Sequence, residues 1–179
     1  MNDVKNEFAA PLDSVKAWRL KFVRGAGNLT IHAGTSMADL YRARFEGNAP
    51  DVRVEDGTIR VEYSWSWRPL DWRKRSADVA LNAAVSWAFE VRGWADRIDA
   101  DLSKLRLEAF GIHGGATEIE LTLPEPSGTV CVRIEGGASN LKVRRPRGVA
   151  ARLRVGGGTS NLALDDQRLG AALRFPTST

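Results

Sequence analysis

The chain has 179 residues, 43% of them hydrophobic and 27% charged, with a net charge of +4. That composition excludes a disordered chain and fits one domain with a core of its own. Residues 1–63 carry nine basic and nine acidic side chains and residues 111–179 carry nine and six, a bias too small to imply a nucleic-acid partner.

The opening stretch, MNDVKNEFAAPLDSVKAW, lacks the apolar run of a secretory signal, and nowhere are there the ~18 consecutive apolar residues that a membrane-spanning helix needs. A cytoplasmic chain is expected, with peripheral membrane association left open. Residues 1–16 show no sustained period and read as a flexible leader ahead of a single domain over 17–179. From Trp18 the pattern alternates. Trp18, Leu20 and Phe22 share one side of a strand, and Arg19 and Lys21 share the other. Tyr41, Ala43 and Phe45 repeat that alternation. Asp56-Gly57 then sits between two alternating runs, which predicts a type I′ hairpin pairing Val52 and Val54 with Ile59, Val61 and Tyr63.

Pro69 and a basic cluster break the regularity over SWSWRPLDWRKRSAD, which reads as a long loop. Strand character resumes at Val79, and Val85, Trp87, Phe89 and Val91 share a face. One pattern is then written four times: VRGWADRIDA from Val91, IHGGATEIEL from Ile112, IEGGASNLKV from Ile134 and VGGGTSNLAL from Val155. Each copy has Ile or Val first, Gly third, and Ile or Leu eighth, and the copies begin 21, 22 and 21 residues apart. Val23–Ile31 reads as a fifth, shorter copy.

A period of that length, with two short dry-sided strands per repeat, predicts an all-β, single-domain β-solenoid with a hairpin-containing N-terminal portion. Glycines suit its corners, where the backbone needs positive φ or room for the neighbouring coil. Stacking then brings equivalent positions about 4.8 Å apart. The eighth-place flanks predict two exposed ladders, Arg97, Glu118, Asn140, Asn161 and Asp99, Glu120, Lys142, Ala163. His113 falls between Arg92 and Glu135. Asp99 against Glu120 is a like-charge contact in this register.

No catalytic constellation is legible. The two histidines, His32 and His113, have no nucleophile and orienting carboxylate at a useful spacing, and one cysteine, Cys131, excludes an internal disulfide and gives no metal cluster. The glycine-rich GAGNLT lacks a P-loop lysine. No enzyme activity, cofactor or metal is expected. The stretch best suited to a partner is the loop, where Trp72 is followed by Arg73, Lys74 and Arg75 and preceded by Arg68, since aromatic rings beside cations anchor interfaces. Trp65 and Trp67 read as continuing the Ile59–Tyr63 face into the core. Arg144, Arg145 and Arg147 read as a solvated corner.

The runs DVALNAAVSWAFEVRG, ADLSKLRLEAFGIHGGATEIELTLPEPSG and RIEGGASNLKVRRPRGVAARLRVGGGTSNLALD carry a further signal. In their order of Leu-Asn, Asp-Leu-Ser, Gly-Gly-Ala, Leu-Pro, Gly-Ala-Ser and Pro-x-Gly-Val-Ala, the chain resembles the toastrack domains. These are β-solenoid modules of LiaF-type bacterial envelope-stress regulators and of related adhesin-labelled proteins. The resemblance runs from about Val23 to Leu169. It implies a non-enzymatic scaffold or regulatory domain, possessing no catalytic residues, that works by contact with a protein partner in the envelope-stress response. The transmembrane helices that precede the domain in those regulators have no counterpart here. Two alternatives stay open: a self-assembling bactofilin-like structural protein, or a glycan-binding or glycan-cleaving β-helix. The first would make the chain a homo-oligomer.

Overall fold

Strands with one dry side must bury it against other such strands, and in the computed structural model of this chain they do so by stacking. Residues 6–63, 75–126, 130–149, 153–165 and 167–172 are described. Through them run β1 (Asn6–Pro11), β2 (Ala17–Val23), β3 (Ala26–Ala33), β4 (Asp39–Glu46), β5 (Asp51–Glu55), β6 (Thr58–Glu62) and β7 (Ser76–Leu81). They continue with β8 (Ser86–Asp101), β9 (Arg106–Thr122), β10 (Cys131–Glu135), β11 (Ala138–Arg144), β12 (Leu153–Val155), β13 (Thr159–Leu164) and β14 (Gln167–Ala172).

β8 and β9 are long because each crosses a corner. The first half of β8 pairs in parallel with β2 and its second half with β3, and β9 likewise carries β10 on its first half and β11 on its second. Two walls follow. One has the order β5-β6-β2-β8-β9-β10-β12, and the other β1-β4-β7-β3-β8-β9-β11-β13-β14. The fold is all-β and solenoid-like, as the repeats predict. Val91 lies beside Ile112, Ile112 beside Ile134, and Ile134 beside Val155. The eighth places stack in the same way, Ile98 on Ile119, Leu141 and Leu162. Val91, Ile98, Ile112, Ile119, Ile134 and Leu141 are all buried and join Trp18, Phe22, Phe45, Trp87 and Phe110 in one continuous core.

Buried polar groups are few, and Asn82 shows how one is satisfied. Its amide donates to the carbonyls of Met37 (3.0 Å) and Asp39 (2.9 Å), its side-chain oxygen accepts from the Ala84 amide, and its own carbonyl accepts from the Trp87 indole at 2.8 Å. One side chain thus ties three segments together at the ends of β4 and β7, where a missing partner would leave a buried polar atom unpaired.

The hairpin forms as expected: Val52 pairs with Val61 and Val54 with Ile59, and Asp56 and Gly57 have φ of 47° and 71°, the positive values a type I′ turn requires. The expectation for residues 1–16 needs correction. Asn6–Pro11 is a strand, antiparallel to β4, and the Phe8 ring lies 5.5 Å from Phe45. Its two inward residues, Phe8 and Ala10, are too short an alternation to register in the sequence, and only the Phe45 surface makes them worth burying. Chain order also differs from spatial order, since β6–β7 forms the coil on the far side of β2–β3 from β8. Antiparallel strands cover three of the four sheet edges, β5 on β6, β4 and β1 beyond β7, and β14 on β13, while β12 ends its wall among the described residues.

Candidate functional site

The outer faces carry the ladders the repeats predict, and those ladders are largely self-satisfied. Arg97 reaches Glu118 at 3.1 Å, Asn161 donates to Asn140 at 2.9 Å, Lys142 lies 3.3 Å from Glu120, and His113 Nδ1 is 2.7 Å from the Glu135 carboxylate. The like-charge contact of Asp99 with Glu120 does occur in register. It is offset because Lys142, Arg144 and Arg97 all converge on Glu120. Burial acts to raise the Glu120 carboxyl, yet the hydrogen bonds and charges of Lys142 and Arg144 together hold it below the ordinary carboxylate range. His32 is similarly engaged, 2.9 Å from Asp78. Among the described residues no group of three or more His, Cys, Asp or Glu is placed to hold a metal.

The basic corner is partly tied down. Arg145 donates to Asp165 through its backbone N–H and its Nε, both at 3.0 Å, and to the Val149 carbonyl at 2.7 Å. The side-chain and backbone hydrogen bonds from Arg145 lower the Asp165 pKa. A carboxyl held low in the fold stabilises it above its unfolded pKa of about 3.9, and that contribution is lost as pH falls through the lower folded value. The melting temperature of the wild type should therefore fall below about pH 4, and Asp165→Asn should flatten that acid limb. An equally steep limb in the variant would remove the clamp's role.

Of the residues the sequence offered for partner binding, Arg68, Trp72, Arg73 and Lys74 lie outside the described residues. Arg75 is described, and it is buried. It is 8% exposed, its guanidinium carbon lies 4.9 Å from the centre of the Tyr63 ring, and its carbonyl accepts from the Asn28 amide. The Tyr63 hydroxyl is itself buried, which pushes its pKa up to about 12 despite the opposing Arg75 charge. Arg75 therefore belongs to the wall of the fold.

Tyr63 and Arg75 also mark a place. They stand where the outermost coil turns from β6 to β7, at the same corner where Arg24-Gly25 joins β2 to β3 and where Gly93-Trp94 bends β8. Gly25 donates to the Arg92 carbonyl at 2.6 Å across that edge. Trp94 is 50% exposed, more than any other large apolar side chain described. Its six-membered ring rests on Gly115 of the next coil, where an added Cβ would lie 2.9 Å from Cζ3. With Arg24, Arg75, Asp96 and Thr117, Trp94 lines an open cleft of about 640 Å³.

Sequence reasoning passed over Trp94 because the repeat absorbed it. A signal was nevertheless present: the fourth places of the four copies are Trp94, Gly115, Gly137 and Gly158, one indole in a column of glycines. That column leaves the ring nowhere to be buried and a flat backbone to lie on.

Residues 2–144 match the family described as the N-terminal domain of toast_rack, DUF2154. No curated protein matches the chain. Among solved structures, the crystal structure of a "putative cell adhesion protein" from Clostridium sporogenes ATCC 15579 is similar, with a TM-score of 0.65 and 19% identity. The match covers 83% of this chain and 74% of that one, and at such identity the likeness is one of fold. Among the described residues no helix is long and apolar enough to cross a membrane.

Proposed function

This chain belongs to the toast_rack N-terminal domain family, and on that premise we propose that it acts as a non-enzymatic protein-interaction domain, a rigid solenoid that presents its corner edge to a partner. The observation that carries this reading is Trp94, held half-exposed on the edge while the polar ladders on the two faces are occupied with one another. Large exposed aromatic side chains are costly to leave in water and are the residues that anchor interfaces. The similar structure's cell-adhesion title and the resemblance to LiaF-type regulators support a contact role. They also support a finer reading, a regulatory scaffold at the cytoplasmic side of a bacterial envelope. Trp72, Arg73, Lys74 and Arg68 join the proposal as a second contact on the ground of their chemistry, since aromatic rings beside cations anchor interfaces. Antiparallel covering of three of the four sheet edges by β1, β5 and β14 counts against the open polymer.

A photo-cross-linking side chain placed at Thr117 in the native cell tests the reading. One protein should be captured, and Trp94→Ala should reduce capture roughly 30-fold, the effect of losing an interface anchor worth ~2 kcal/mol. The same change should alter stability by no more than ~0.5 kcal/mol, as for other surface positions. Capture that is indifferent to Trp94→Ala would overturn the proposal. Replacing Trp72 and Arg73 with Ala should also weaken capture with an unchanged melting temperature, whereas Arg75→Ala should lower it.

A further inference from the structure

We infer that the free side of β5 takes one added strand from a protein partner, apolar on its inner face and reading basic, acidic, basic along its outer face. This site is separate from the Trp94 edge, three strands away from β8 in the first wall, and it goes beyond the reading above.

The two walls end unevenly. Beyond the coil of β6 and β7 the first wall has β5 and the second has β4, and the second then adds β1. Among the described residues no strand of the first wall stands opposite β1, so β5 presents an unpaired edge to a gap one strand wide. The inner side of that gap is apolar. Val52 and Val54 face the core, since they pair with Val61 and Ile59, which are 1% and 0% exposed, yet Val54 is itself 38% exposed. Leu12 and Val15 are exposed to the same degree at this end. Leu12 is the residue after β1, and Val15 stands by the hairpin turn, its Cγ1 3.7 Å from where a Cβ on Gly57 would lie. Of the four large apolar side chains exposed among the described residues, three therefore belong to the end where the first wall falls one strand short.

The outer face supplies the charge pattern. Asp51, Arg53 and Glu55 alternate with the two valines and are all exposed. β6 does not complement them, because Asp51 lies opposite Glu62 and Arg53 opposite Arg60. The arginines turn instead to carboxylates on their own strands, Arg53 to Asp51 at 2.7 Å and Arg60 to Glu62 at 2.8 Å, and Glu55 makes no ion pair among the described residues. An added strand with Lys, Glu and Lys opposite Asp51, Arg53 and Glu55, and Val between them, gives each outward charge an opposite neighbour and covers Val54. A second copy of this chain does not fit. Its β5, laid antiparallel along the full length, sets Asp51 against Glu55 and Arg53 against Arg53, and β1 already stands in the layer that the copy's β4 would need. An extended segment with nothing packed behind it meets neither obstacle.

Fluorescein-labelled, end-capped peptides with the cores KVEVK and EVKVE, titrated by anisotropy into the full chain at physiological salt, test this. KVEVK should bind at least about tenfold more tightly, because three cross-strand charge pairs change sign together. Asp51→Lys, Arg53→Glu and Glu55→Lys made together should reverse the preference. N-methylation of alternate backbone amides of KVEVK should abolish binding for one set and spare the other, the mark of a strand paired along a single edge. That arm uses the unaltered chain and decides the matter if the triple variant does not fold. No binding of KVEVK, no preference between the peptides, a preference that the triple variant retains, or equal effects of the two N-methyl sets overturns the inference. So does binding that appears only once residues 1–5 are removed, which would give the edge to the chain's own start. The Thr117 cross-link reads the Trp94 edge alone, so failure of that contact and failure of this one are told apart.

Discussion

Gly136→Ala should destabilise the protein by at least ~3 kcal/mol, a melting-temperature drop of roughly 6–12 °C for a chain of this size. Gly136 has φ of +120°, and an added Cβ would overlap the carbonyl group of Gly114 in the preceding coil. Because the obstruction is backbone of a neighbouring coil, no rotamer change can relieve it, and either the corner opens or the coils separate. Gly148→Ala supplies the control. Its φ is +76°, but nothing lies within 4 Å of an added Cβ, so only the left-handed backbone strain remains, about 1 kcal/mol. Thermal melts of the two variants by circular dichroism separate strain from collision. Equal losses would mean that the coils are not in contact at this corner.

Trp87→Ala should cost about 3–5 kcal/mol, the range for removing a large aromatic from a packed core. Trp87 is fully buried, its ring is stacked at 6.3 Å from Phe89, and its Nε1 donates to the Asn82 carbonyl. Its loss would leave both a cavity and a buried carbonyl with one partner fewer. Trp87→Phe should recover most of the packing but not the hydrogen bond, leaving a deficit of ~1–2 kcal/mol. Urea unfolding of Trp87→Ala beside Trp94→Ala makes the comparison direct, since one residue type sits in core and edge of the same strand. Similar unfolding midpoints would contradict the assignment of Trp94 to the surface.

The ladder neighbours were readable before any coordinates, and the reason is geometric. When a chain repeats every 21 or 22 residues and each coil rests on another, residues one period apart become strand neighbours. Arg97 had to meet Glu118, and His113 had to meet Arg92 and Glu135. The dry interior was equally legible, because alternation assigns every second residue to it. What the period does not carry is which edge of a coil the next one takes. A parallel coil offers an unpaired edge on both sides, so β6–β7 stacks beyond β2–β3 while β8 takes the other edge.

Exposure at the corners was decided by tertiary structure for a related reason. Repeat position predicts which residues turn the corner but not what stands above them. Trp94 is open to solvent because its neighbours in the column are glycines without side chains, and Arg75, which reads as a surface cation, is covered because Tyr63 provides a ring to lie on. The amino-acid order by itself determined the coil, its register and its dry face, which depend on short-range periodicity. The order of the coils, the pairing of β1 with β4 and the one indole left without cover depend on which surfaces meet across the fold, and only the tertiary structure decided those.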